Sequence, residues 1–141
     1  MLVRCLYASR AAEPLAPNAL DQILERSRRN NPARGITGLL CLSNNIFVQV
    51  LEGSRTEVSA LMAAIIADKR HHSIEILTFE EIPERHFGNW TMGKVNLDSV
   101  NGAALLKYSE KAELDPFGCS ARTTLALLIE LASTGAIANR G

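Results

Sequence analysis

The chain has 141 residues, with 15 Lys+Arg balanced by 15 Asp+Glu, 47% hydrophobic and 21% charged residues. That is ordinary globular composition for one domain, or one domain with an extension; it excludes global disorder and argues against a chain-wide electrostatic grip on nucleic acid or an anionic membrane. Three cysteines, Cys5, Cys41 and Cys119, fit a reduced cytoplasmic setting better than a disulfide scaffold, and no apolar stretch reaches the ~18 residues of a membrane span or reads as a signal peptide. Residues 2–8 predict a first strand, followed by turn signals at Pro14 and Pro17. From Asn18 the apolar residues Leu20, Ile23 and Leu24 take helical spacing. This helix is expected to end near Asn30, because the residue before Pro32 disfavours the helical region.

Residues 36–43 and 46–52 predict two strands joined by an Asn44-Asn45 hairpin. Ser54 and Glu57 form a capping box, and Val58, Leu61, Met62, Ile65 and Ile66 then mark the clearest amphipathic helix. After a polar exit loop at 68–72 come a fourth strand at 73–82, ended by Pro83, and a short fifth strand at 90–95. Helices at about 103–111 and 119–134 close the chain. The order βαββαββ predicts an α+β, ferredoxin-like sheet with two helices on one face. The two C-terminal helices are the expected cover for the other face. The division is a unit at 1–96 and a helical cap or output extension at 97–141.

A few residues resist a purely structural reading. Gln49 sits mid-strand on the face shared by Phe47 and Leu51. A buried amide without a partner costs about 1–3 kcal/mol, so something polar must meet it. If strand 1 lies beside strand 3, Tyr7 can be that partner, with Ser9 on the same face. Asn30-Asn31 end the first helix; one Asn is a common cap, two in a row less so. Trp90 and Met92 are expected on one face of the last strand. Asp68, Arg70, His71 and His72 read as a solvated turn. His71 and His72 point apart and no ligand spacing completes them, so no metal is expected. There is no Gly-rich phosphate loop, nucleophile elbow or usable carboxylate pair, so an enzyme is not expected.

Taken in order, certain segments resemble the BLUF family of FAD-based blue-light sensors. They are Tyr7-Ala8-Ser9, Asn30-Asn31, Gly35-Ile36-Thr37-Gly38-Leu39-Leu40, Phe47-Val48-Gln49-Val50-Leu51-Glu52-Gly53, Asp68-Lys69-Arg70-His71 and Arg85-His86-Phe87-Gly88-Asn89-Trp90-Thr91-Met92. The resemblance covers about residues 1–96 and implies a ferredoxin-like fold with the flavin between its two helices. It assigns FAD binding to Tyr7, Ser9, Ile23, Asn30, Asn31, Gln49, Asp68, Arg70 and His71, and the photochemistry to Tyr7, Gln49, Trp90 and Met92.

It further implies that Tyr7 gives the light-excited flavin an electron and a proton, and that the Gln49 amide ends in a new tautomer or rotamer. The resulting red-shifted state relaxes in the dark. Coupling through Trp90, Met92 and the last strand to the C-terminal helices would carry the signal. The short stand-alone members are the nearest type, implying a separate effector protein, such as a second-messenger enzyme or a transcription regulator, and a homo-oligomer. The competing readings are a light-independent ferredoxin-like protein-binding module and a small enzyme on the same superfold.

Overall fold

The structure, a computed structural model, describes residues 1–12 and 19–133. Strands β1 (Leu2–Ala11), β2 (Thr37–Ser43), β3 (Ile46–Ser54), β4 (His71–Ile82) and β5 (Gly93–Asn96) form one sheet in the order β4-β1-β3-β2-β5. All pairings are antiparallel except β2 with β5. Helices α1 (Ala19–Arg34) and α2 (Arg55–Ala67) cover one face, and α3 (Gly102–Leu106) and α4 (Ala121–Ser133) lie on the other. This is the α+β, ferredoxin-like arrangement expected from the element order. The turn expected at Pro14 and Pro17, the helix start at Asn18 and the side chain of Leu20 lie outside the described residues.

The strands alternate between two apolar layers, as a period of 2 requires. Cys5, Tyr7, Leu40 and Leu51 pack with Leu24 of α1 and Val58 and Met62 of α2. Leu6, Leu39, Val48 and Val50 pack instead with Leu127, Leu128 and Leu131 of α4. Each of those α4 leucines removes roughly 1.5–3 kcal/mol of apolar surface from water. The expected stripe of Leu125, Leu128, Ile129 and Ala132 is rotated in the structure: Leu128 is fully buried and the other three sit at its edge.

Asn44 and Asn45 both take positive φ (48° and 64°), the two-residue turn that matches strand twist. Ser54 caps α2 by accepting the Glu57 N–H at 3.1 Å. Glu57 does not reach back to complete a capping box; its carboxylate pairs with Arg34 at 2.7 Å.

The first C-terminal helix, expected to run to about 111, stops at Leu106, and three other boundaries differ from expectation for physical reasons. Helix α1 does not stop before Pro32 but runs on to Arg34. Its end is a Schellman turn: Gly35 takes φ 67°, its N–H reaches Pro32 O at 3.2 Å, and Ile36 N–H reaches Asn31 O at 3.1 Å. In the last turn the proline removes one bond, and Gly35 closes the carbonyls left over. Strand β4 begins at His71, so His71 and His72 are ladder residues opposite Ala11 and Arg10 rather than an exit loop. A bulge with Ser73 at φ 55° absorbs the shift in register. Residues 88–92 are irregular, and β5 starts only at Gly93. Period 2 therefore does not hold for Trp90 and Met92, which fall on opposite sides of the sheet, Trp90 in the α4 layer and Met92 in the α1/α2 layer.

Candidate functional site

A slot of about 220 Å³ opens between α1 and α2 over the sheet. Its floor carries Tyr7, Gln49, Leu40 and Phe47, its walls Ile23 from α1 and Leu61 and Ile65 from α2. The rim carries Asn30, Asn31, Arg26 and Arg34 from the end of α1, and Asp68, Arg70 and His71 after α2. The antiparallel register of β1 and β3 sets Tyr7 directly opposite Gln49.

The Tyr7 hydroxyl donates to Gln49 Oε1. Gln49 Nε2 donates to Met92 Sδ at 3.4 Å. The buried amide thus meets a phenol on one end and a thioether on the other. Burial, with smaller contributions from Cys5 and Asp68, holds the Tyr7 phenol well above its ordinary range, so the ring is neutral. Asp68 accepts from Arg70 Nε at 2.9 Å and from its terminal nitrogen at 2.5 Å, and this pairing lowers the carboxyl to about 2 despite opposing desolvation.

Ser9 does not line the slot. It is buried and meets His71 Nδ1 at 2.8 Å, while His71 Nε2 lies 2.6 Å from Ile65 O. A carbonyl only accepts, so in the neutral ring Nε2 carries the proton and Nδ1 takes the Ser9 hydroxyl. Ser9 thereby steadies His71, whose ring meets Tyr7 edge-on at 6.4 Å. Trp90, given a photochemical role by the resemblance, packs under the C-terminal helices rather than in the slot. Met92 holds the position beside Gln49.

Sequence reasoning missed residues that frame the site. Arg28 donates twice to Met92 O, at 3.2 and 3.0 Å, and Asn31 Nδ2 reaches Thr91 O at 3.5 Å. Glu52 and Arg4 form a buried ion pair at 2.8 Å. That pair was legible: with Tyr7 opposite Gln49, antiparallel pairing sets Arg4 opposite Glu52. Burial pushes Cys5 up to about 11 and Cys41 to about 12, which disfavours the thiolate that a nucleophile needs. Among the described residues no cluster has the makings of a metal site, and no helix is long and apolar enough to cross a membrane.

The donor set fits a flavin nucleotide. Half-buried aliphatic walls suit a flat heteroaromatic ring. Amides at Asn31 and Gln49 can both give and accept hydrogen bonds, as a ring edge of carbonyls and N–H groups needs. Arginines at the rim, Arg26, Arg34 and Arg70, suit phosphate.

Comparison with known proteins agrees. The family model "Sensors of blue-light using FAD" matches residues 2–93. Photoactivated adenylate cyclase subunit beta of Euglena longa is 30% identical over 108 residues, 75% of this chain and 13% of that protein. The blue light- and temperature-regulated antirepressor BluF of Escherichia coli is 29% identical over 119 residues, 81% of this chain and 30% of that protein. The chain thus spans well under half the length of these curated relatives. Among solved structures, the photo-activated state of BlsA superposes with a TM-score of 0.82 at 31% identity, covering 100% of this chain and 99% of that one. Fold, slot and family match converge on one assignment: the chain belongs to the BLUF family, the sensors of blue light using FAD.

Proposed function

We propose that this chain binds FAD in the α1/α2 slot and responds to blue light by reversing the Gln49 amide. The observation that carries the reading is the Tyr7–Gln49–Met92 chain of hydrogen bonds on the slot floor. Flavin, when bound, supplies the blue-light absorption and a one-electron acceptor. Asn30, Asn31, Asp68, Arg70 and His71 would hold it from the rim, with Ile23 against the ring.

Tyr7, a neutral buried phenol, can give up an electron and then its proton, and Gln49 Oε1 is the acceptor already in place. An amide that takes up that proton and returns it, as the electron also comes back to Tyr7, can settle with its ends exchanged. Nε2 would then donate to the Tyr7 oxygen, and Oε1 would face Met92. A thioether has no proton to give, so the Gln49–Met92 bond exists in only one of the two states. Losing one such bond is worth on the order of 1 kcal/mol, close to the 1.4 kcal/mol that makes a tenfold change in population. Met92 is the residue just before β5, so its release is the step that reaches the sheet edge.

Residues 1–96 act in this reading as the sensor, and 97–141 as a cap whose outer surface meets a separate effector protein or a second copy of the chain. The effector classes carried by relatives are a nucleotide cyclase and an antirepressor. The chain itself makes and breaks no substrate bond. The test is the cofactor: purified protein is expected to be yellow and to release FAD on denaturation, identified by mass. A colourless protein that takes up no FAD contradicts the reading.

A further inference from the structure

Glu52, near the end of β3, is 0% exposed. Donors converge on its carboxylate from two directions. Arg4 Nε and its terminal nitrogen reach Oε2 at 2.8 Å each. The backbone N–H groups of His86 and Phe87 reach Oε2 at 3.1 Å and Oε1 at 2.7 Å. Stability alone gives little reason for such a group, since a buried ion pair replaced by apolar residues is often neutral or stabilising. Its distinguishing effect is to hold two consecutive amides of a stretch, 83–92, that has no helix or strand of its own.

That stretch is anchored at both ends. At its start, Arg85 donates to Gly35 O at 2.7 Å, Thr37 Oγ1 at 2.8 Å and Glu52 O at 3.1 Å. At its end, Arg28 holds Met92 O. Between them Gly38 N–H meets Trp90 O at 3.0 Å. Gln49 and Glu52 lie three residues apart on β3 and on opposite faces of the sheet. One strand therefore grips the same segment twice, at Phe87 through a carboxylate and at Met92 through the amide.

We propose that Glu52, neutralised by Arg4, is a positioning residue: a fixed fulcrum on β3 that sets Met92 Sδ against Gln49. The proposal rests on the amide switch described above. With the fulcrum in place, reversal of Gln49 is felt by Met92 and passed toward β5. Without it, the 86–92 segment adjusts as a whole and the difference between the two amide states shrinks.

The test pairs Arg4→Met/Glu52→Leu, which removes the carboxylate while keeping apolar volume, with Glu52→Gln, which keeps the shape and one acceptor oxygen. Three quantities are read: Tm, the NMR shift of the Met92 methyl in flavin-free protein, and the dark-recovery rate of flavin-loaded protein after a blue flash. At a Tm within a few degrees of wild type, we expect a moved and broadened Met92 methyl signal. We also expect recovery at least threefold slower, because the dark amide loses part of the Met92 bond that favours it, with Glu52→Gln between wild type and the double variant. If the double variant does not fold, Glu52→Gln must still show both changes. A wild-type Met92 signal and recovery rate in a folded variant overturns the proposal. A wild type that shows no light response fails the switch reading instead, and the Met92 signal still reports on the fulcrum.

Discussion

The two faces of the sheet use alternate residues of the same strands, yet they are chemically unlike. Under α4 the centre of the layer is apolar, with Leu6, Leu39, Val48 and Val50 meeting Leu127, Leu128 and Leu131, and the buried Thr124 hydroxyl meets Cys119 Sγ at 3.2 Å. Under α1 and α2 the layer is interrupted by a phenol, an amide and a hydroxyl, all buried and all partnered. Apolar packing is non-directional and tolerates many arrangements of similar volume. A buried hydrogen-bonded chain has few arrangements, each distinguishable by what it leaves unpaired. One face is therefore suited to holding the fold and the other to choosing between discrete states. The Arg4–Glu52 pair sits in the α4-side register but ties the sheet to the loop that serves the slot.

This contrast breaks most visibly at Leu128. It is fully buried in the α4 layer, so Leu128→Ala should cost about 2–5 kcal/mol and lower Tm by roughly 10 °C or more. Flavin uptake and the light-induced shift of the folded fraction should survive. A loss of the shift at a temperature where the variant is folded would show that the two faces are not separable in this way.

Tyr7→Phe is the matching change on the other face. It leaves Gln49 Oε1 buried without its donor, a cost of about 1–3 kcal/mol, smaller than at Leu128, but it should abolish the light response. Denaturant unfolding and a flash spectrum on the same sample check both halves. Met92→Leu removes only the sulfur acceptor. The volume is nearly kept, so stability should change by less than about 1.5 kcal/mol, while dark recovery changes rate because one amide state has lost its distinguishing bond.

The smallest effect is expected at the rim. Arg70 holds Asp68 at about 2 against an ordinary 3.8. A carboxyl lowered on folding adds stability above its unfolded value, and the gain fades as pH falls from about 3.8 toward 2. Arg70 is 51% exposed, so solvent screening limits the contribution to about 1 kcal/mol or less. Asp68→Asn should therefore lower neutral-pH stability by about 1 kcal/mol or less and flatten the fall of the urea midpoint between about pH 3.8 and 2, where the variant converges on wild type.

Most of the architecture was legible because it rests on local signals. The Asn44-Asn45 turn, the Ser54 cap and the α2 stripe each carry their own chemistry in a few residues, although the stripe ends at Ile65 and Ile66 is 53% exposed. The Tyr7–Gln49 contact was legible for another reason: a polar residue mid-strand must find a partner, and the topology left one within reach. The end of α1 is set by Gly35 rather than by Pro32, because glycine readily takes the left-handed turn that closes the helix. His71 and His72 did not read as strand because β4 is an exposed edge, where polar residues give no period-2 signal. Trp90 and Met92 could not be placed from spacing, because the segment carrying them has no regular period and its path is set by distant partners, Glu52 and Arg28.

The central claim is that Gln49 is the switch. Its most direct measurement is the light-minus-dark absorption difference of flavin-loaded protein after a blue flash, for wild type beside Gln49→Leu. We predict that the wild-type flavin band shifts to the red and recovers in the dark, and that Gln49→Leu binds flavin yet shows no such shift. A Gln49→Leu protein that shifts and recovers as wild type does would contradict the account.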